Sequence, residues 1–130
     1  MSAKRVLSVG QCFADHGSIS RVLRTQFSAE VVPADSADEA LRRLRDEEFA
    51  LVLVNRVFDA NGASGMDLVR QIKEDPALKA VPVLLVSNYD DAQRDAVAAG
   101  AEPGFGKSAL GQPQMLARVR PWLAAHVPQS

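Results

Sequence analysis

Short apolar runs alternate along this chain with amphipathic stretches of helical period. Val6-Leu7-Ser8-Val9, stopped by Gly10, predicts a buried strand. Gly17-Ser18 opens a helical pattern in which Ile19, Val22, Leu23 and Phe27 share one face, while Arg21 and Arg24 lie elsewhere. Glu30-Val31-Val32, closed by Pro33, predicts a second, weaker strand. Ser36-Ala37-Asp38-Glu39 has the spacing of a capping box, and Ala40, Leu41 and Leu44 then supply an apolar stripe opposite Arg42, Arg43 and Arg45. Phe49-Ala50-Leu51-Val52-Leu53-Val54 predicts the strongest strand, and its lack of alternation indicates burial on both faces.

A loop with Asn61-Gly62 and Gly65 follows, and Met66, Leu68, Val69 and Ile72 mark a third helix that ends near Pro76. Pro82–Ser87 predicts another strand buried on both faces, and Asp90–Ala99 a short helix stopped by Gly100. Gly104-Phe105-Gly106 is read as the last strand mainly because the alternation requires one. Pro113 sits at a first helical position, and Met115, Leu116, Val119 and Leu123 form the final stripe. Pro121 is expected to kink or divide that helix, since it lacks an N–H and crowds the carbonyl one turn back. Strands therefore begin near residues 5, 29, 49, 82 and 104, each followed by a helix. This (βα)5 order predicts an α/β fold: a flavodoxin-like, doubly wound, five-stranded parallel sheet of order 2-1-3-4-5. There is no repeat beyond this alternation and no linker, and only Met1–Lys4 and Val127–Ser130 are expected to be dispensable.

The chain has 130 residues, which suits one domain of the usual roughly 100–200 residues. Fifteen basic and sixteen acidic side chains leave a formal charge of −1, so no electrostatic argument for nucleic acid arises. Cys12 is the single cysteine, which excludes an internal disulfide and a multi-cysteine zinc module. His16 and His126 are too few and too scattered to suggest a metal site, and no cofactor is expected. No run approaches the roughly 18 apolar residues of a membrane span. Met1-Ser2-Ala3-Lys4-Arg5 is not followed by the apolar core of a signal peptide, so a reduced, cytoplasmic setting is expected.

In a doubly wound sheet, ligands gather beyond the carboxyl ends of the strands, where strands 1 and 3 diverge. Those ends are Gly10-Gln11-Cys12, Asn55, Ser87-Asn88 and Lys107-Ser108. Over about residues 4–125 the motifs around them carry a resemblance. Leu51-Val52-Leu53-Val54-Asn55, Gly65-Met66-Asp67-Leu68-Val69, Pro82–Ser87 and Ala98-Ala99-Gly100-Ala101-Glu102 before Lys107 resemble, in order and spacing, segments of the receiver domains of two-component response regulators. The resemblance implies a phosphorelay function. It places a Mg²⁺-holding acidic pair after strand 1, a phosphoacceptor aspartate at the end of strand 3, a Ser or Thr after strand 4, and a lysine after strand 5.

The departures from that pattern decide the expected function. Gly10 and Gln11 stand at the acidic-pair positions and Asn55 at the phosphoacceptor position, while Ser87 and Lys107 are retained. Gly104 holds the place of a switch aromatic, with Phe105 displaced by one, and Ser108 replaces a proline. The stretch from Asn55 to Gly65 is about two residues longer than the pattern and lacks its proline. An amide oxygen is uncharged and its lone pair is delocalised, so Asn55 is no substitute for a carboxylate nucleophile. Mg²⁺ is typically held by one or two carboxylates, which Gly10 and Gln11 do not supply. Nucleophile and metal fail together, and a pseudo-receiver not phosphorylated in the ordinary way is expected. Asp59, four residues beyond Asn55, and Asp15, in the loop after the first strand, are the acids that remain as substitutes; otherwise both are solvated loop acids. Without the acids, Lys107 is free to donate to Asn55 or a backbone carbonyl, or to point into water, and Ser87 is a strand-end hydroxyl.

Two rival readings are weaker. Cys12 stands where flavodoxin-like phosphatases carry a nucleophile, but the position six residues on is Ser18, with Arg21 the nearest arginine, so a small, partly buried thiol is the simpler account. Gly10-Gln11-Cys12-Phe13-Ala14-Asp15 is no dinucleotide fingerprint. The preferred reading is a non-enzymatic protein-interaction module. Its partner would be a signalling protein or a histidine kinase-like component, with a second copy of the chain also admissible. The resemblance puts the partner face on the fourth helix, fifth strand and fifth helix, with Arg94 and Arg118 on the surface and Phe105 or Trp122 as an aromatic anchor. A chain ending after the fifth helix is expected to be a single-domain regulator or a piece of a longer one.

Overall fold

The three most apolar runs become the three central strands. In the computed structural model, which describes residues 4–124, these are β1 (Arg5–Val9), β3 (Leu51–Asn55) and β4 (Val83–Val86). They are flanked by β2 (Glu30–Ala34) and β5 (Glu102–Phe105) in a parallel sheet of order β2-β1-β3-β4-β5. Alternate residues feed opposite cores. Leu7, Val9, Val52, Val54, Val83 and Leu85 pack with α2 (Ala37–Asp46), α3 (Gly65–Glu74) and α4 (Asp90–Ala98). Val6, Leu51, Leu53, Leu84 and Val86 pack on the other face with α1 (Phe13–Phe27) and α5 (Pro113–Leu123). The doubly wound fold is thus the expected one, and among the described residues no helix is long and apolar enough to cross a membrane.

The chain's own capping chemistry sets the helix ends. Ser36 Oγ accepts from the Glu39 N–H at 3.1 Å, and Glu39 Oε1 reaches back to the Asp35 N–H at 2.8 Å. The first helix corrects its expected start. It opens at Phe13 rather than Gly17, with Cys12 as N-cap and its Sγ accepting from the Asp15 N–H at 3.4 Å. Asp15 therefore belongs to the first helical turn, not to a loop. Pro121 does not divide α5, because it lies in the last turn, where the amide it lacks would have made one of the final helical bonds. The last strand begins at Glu102, two residues before its expected start, and its pairing with β4 is irregular between Leu84 and Val86. Gln93 bridges that irregularity: its Nε2 donates to the Leu85 and Ser87 carbonyls, and its Oε1 accepts from Gly104 N–H.

At the amino ends of the strands, Lys4 Nζ donates to the Trp122 carbonyl at 3.1 Å, so the N-terminal segment is tied down from Lys4 onward. Met1–Ala3, His126 and Val127–Ser130 lie outside the described residues. Beside Lys4, Arg5 stacks 5.0 Å over the Phe49 ring and pairs with Glu47 at 2.7 Å. Hydrogen bonding to Arg5 holds the Glu47 carboxyl below its ordinary value of 4.5, with Arg43 adding to the effect. A depressed carboxylate contributes stability above its unfolded pKa and loses it as pH falls through the folded value. The Glu47 carboxyl is expected to titrate below its ordinary value by NMR and to move back up in Arg5→Gln; an unmoved midpoint would refute the pairing.

Candidate functional site

At the carboxyl end of the sheet, the carbonyl of Gly10 gathers the crevice. It accepts from Asn55 Nδ2 at 3.0 Å and from the Asp59 N–H at 2.9 Å, which pulls the end of β3 and the following loop against the end of β1. Asn55 is buried and serves as a donor to a carbonyl, a role a carboxylate cannot fill. Gly10 has φ +76, and a Cβ built there would meet the ring of Phe58, with Cγ at 2.7 Å and Cδ1 nearer still. Phe58 is only 1% exposed, so the space beside Gly10 is walled by a phenyl ring.

The loop holds that ring in place. Phe58 N–H donates to the Ala63 carbonyl, Gly62 N–H donates back to Phe58, and Val57 bridges to Ser64. The stretch between Asn55 and Gly65 thus forms a turn that delivers a phenylalanine to the crevice. Phe58 is the site residue that the sequence reading missed, and its one signal was a large apolar residue inside an otherwise polar loop. Gln11 is also buried, and neither its Oε1 nor its Nε2 has a partner among the described residues.

Lys107 finds a partner outside the expected alternatives. Its Nζ lies 2.9 Å from Asp15 Oδ2, a pairing made possible by the early start of α1. Asp15 is thereby placed beside the retained lysine, whereas Asp59 is exposed and contributes its backbone to the Gly10 carbonyl. The pair is partly exposed, so its worth is of the order of ~0.2–1 kcal/mol. Ser87 is buried and its hydroxyl accepts from Tyr89 N–H at 3.1 Å; Asn88 Oδ1 accepts from both the backbone N–H and the hydroxyl of Ser108. A cavity of about 420 Å³ remains, lined by Asn55, Arg56, Ser87, Tyr89 and Lys107 among others, with no carboxylate in its wall. Arg56 stacks 4.8 Å over the Tyr89 ring. Among the described residues, no group of three or more His, Cys, Asp or Glu side chains comes together as a metal site.

The expected partner face is only partly as read. Arg94 and Arg118 are exposed and line a cavity of about 550 Å³ between α4, β5 and α5. Phe105, however, is 2% exposed and packs into the core, and Trp122 is half-buried against the same cluster. Neither ring stands out as an anchor, because β5 lies at the sheet edge with α5 folded over it. At Gly104, expected at the place of a switch aromatic, a Cβ would collide with the Leu85 carbonyl and come within 2.9 Å of Gln93 Oε1, so this backbone admits no side chain there. Cys12, the rival nucleophile, is engaged as the α1 cap.

No family model matches this sequence, and no curated protein matches it. Solved structures do. A chain assigned as a response regulator from Chloroflexus aurantiacus superposes with a TM-score of 0.81 at 22% identity, covering 95% of this chain and 100% of that one. A CheY-like receiver domain protein from Methanospirillum hungatei gives a TM-score of 0.77 at 22% identity, covering 94% of each chain. The phosphorylated cyanobacterial phytochrome response regulator RcpA gives 0.74 at 23%, covering 98% of this chain and all, 100%, of that one. The fold is therefore that of CheY-like receiver domains.

Proposed function

We propose that this chain is a degenerate receiver domain of two-component signalling that acts as a phosphorylation-independent protein-interaction module. The carrying observation is the crevice itself: the acceptor position is an amide hydrogen-bonded to the Gly10 carbonyl, and Phe58 fills the space beside Gly10 where an acid would be needed. Lys107, which the resemblance assigns to the phosphoryl oxygens, is already neutralised by Asp15. This reading requires no cofactor and no turnover. The crevice stays in one arrangement, and output lies in the constant surface of α4, β5 and α5, offered to a signalling protein or histidine kinase-like component in the cytoplasm.

Incubation with acetyl phosphate and Mg²⁺, followed by intact-mass measurement, is expected to leave the mass unchanged. Separately, Arg94→Glu and Arg118→Glu are expected to weaken partner capture while the circular dichroism spectrum is kept. Addition of a phosphoryl group would overturn the first half of the reading, and equal capture by both variants would overturn the second. Because Asp15 sits beside Lys107, a stable adduct mapped to Asp15 would establish the alternative of a substitute acceptor.

A further inference from the structure

We propose that Asn61-Gly62 is a site of spontaneous covalent modification, at which Asn61 loses its side-chain nitrogen as ammonia, and that the isoaspartate so formed releases Phe58 from the crevice. The chain has three asparagines, and their settings differ. Asn55 and Asn88 are followed by Arg56 and Tyr89, whose side chains crowd the next peptide nitrogen, and Asn55 is also buried. Asn61 is exposed and is followed by Gly62, which has no side chain and open space where one would stand. The Ala63 N–H donates to Asn61 Oδ1 at 2.9 Å, which folds the carboxamide back over the Gly62 peptide.

The chemistry needs only water and no partner. Hydroxide takes the Gly62 N–H proton, and the Gly62 nitrogen bonds to Cγ of Asn61. The Cγ–Nδ2 bond then breaks, and the nitrogen leaves as ammonia with a proton from water, which leaves a cyclic imide. Water opens the imide at either carbonyl. Attack at the former side-chain carbonyl gives aspartate; attack at the main-chain carbonyl gives isoaspartate, whose backbone is longer by a methylene. Negative charge gathers on Oδ1 in the tetrahedral stage, and the Ala63 N–H is already aimed at that oxygen. The nucleophile is the restrained group: the Gly62 N–H donates to the Phe58 carbonyl at 2.8 Å. Cyclisation has to break that bond, so its rate follows the opening of the loop that seats Phe58. The product acts on the same loop. The bonds from Gly62 N–H to the Phe58 carbonyl and from Phe58 N–H to the Ala63 carbonyl close turns that both contain the Asn61–Gly62 link. A longer link that also carries a carboxylate breaks this pairing, and the ring beside Gly10 loses its support.

The test is incubation of the folded chain at neutral and mildly alkaline pH, followed by digestion and mass spectrometry with a fragmentation that separates isoaspartate from aspartate. Amide-to-acid exchange is expected at Asn61, faster at the higher pH and with isoaspartate the larger product, while Asn55 and Asn88 stay unchanged over the same interval. In NMR spectra the amides of Gly10 and Phe58 should move in the isoaspartate form. Asn61→Asp carries the charge without the added methylene and should leave them in place. Phe58→Leu and Phe58→Ala loosen the seat of the loop by degrees and should both speed the conversion, the second by about tenfold or more. Persistence of Asn61, or conversion no faster than at Asn88, would overturn the site. Gly10 and Phe58 signals that stay put in the isoaspartate form, or move equally in Asn61→Asp, would overturn the release of Phe58. Equal rates in the native chain and in Phe58→Leu, a variant that keeps an apolar side chain in the crevice, would overturn control by the loop.

Discussion

Gly10→Asp is expected to destabilise the fold by about 3 kcal/mol or more, read as a lowered urea midpoint. Two physical terms add. The backbone at Gly10 has φ +76, which costs an L-residue roughly 1–2 kcal/mol. Any Cβ there also enters the space of the Phe58 ring, and overpacking of a filled site costs typically ~1–3 kcal/mol. Neither term depends on charge, so Gly10→Ala should show most of the loss. Phe58→Ala opens a cavity of its own, worth about 3–5 kcal/mol. The double variant Gly10→Ala, Phe58→Ala should nonetheless lose less than the sum of the two, because removing the ring removes the collision. An unchanged midpoint in Gly10→Ala, or strict additivity in the double, would mean that Phe58 does not occupy the crevice. Placing acids at Gly10 and Gln11 is therefore expected not to build a Mg²⁺ site by itself, because the Phe58 ring fills the room that a side chain at Gly10 would need.

The sheet was legible because β1, β3 and β4 are apolar runs buried on both faces, a pattern with few alternatives. The start of α1 was not. Gly17-Ser18 resembles a helix opening, while a cysteine is not among the preferred N-cap residues, so Cys12 gave no signal. That one error misplaced Asp15. Assigned to a loop it has no fixed direction; three residues past the cap, it is aimed at Lys107. Phe58 was invisible for a related reason. Periodicity identifies core residues inside helices and strands, and a buried ring delivered by a loop has no period to reveal it. That Gly10, Gln11 and Asn55 carry no carboxylate could be read from residue types alone; what surrounds them could be read only from contacts across the chain.

Asn55→Asp should therefore fail to create a phosphoacceptor and should also cost stability. In the native chain, Asn55 Nδ2 donates to the Gly10 carbonyl at 3.0 Å in a buried setting. An aspartate would set a carboxylate oxygen against that carbonyl, with no donor between them. Losing the bond while burying an unpaired charge is expected to cost about 2–4 kcal/mol near neutral pH. The sign of the pH dependence follows. The protonated acid can donate to Gly10, so the folded state favours it and the folded pKa rises above the unfolded value of ~3.9. The deficit relative to the native chain should be small below that value, grow as pH rises, and be complete above the raised folded pKa. Chemical denaturation of both proteins across that range measures the difference directly, and a deficit that does not vary with pH would refute the contact. Acetyl phosphate and Mg²⁺ should leave the mass of Asn55→Asp unchanged, because Gly10 and Gln11 still offer the ion no carboxylate and Lys107 still faces Asp15. If the variant is instead phosphorylated efficiently, the nucleophile alone was missing, and the wall built by Phe58 has no bearing on the chemistry.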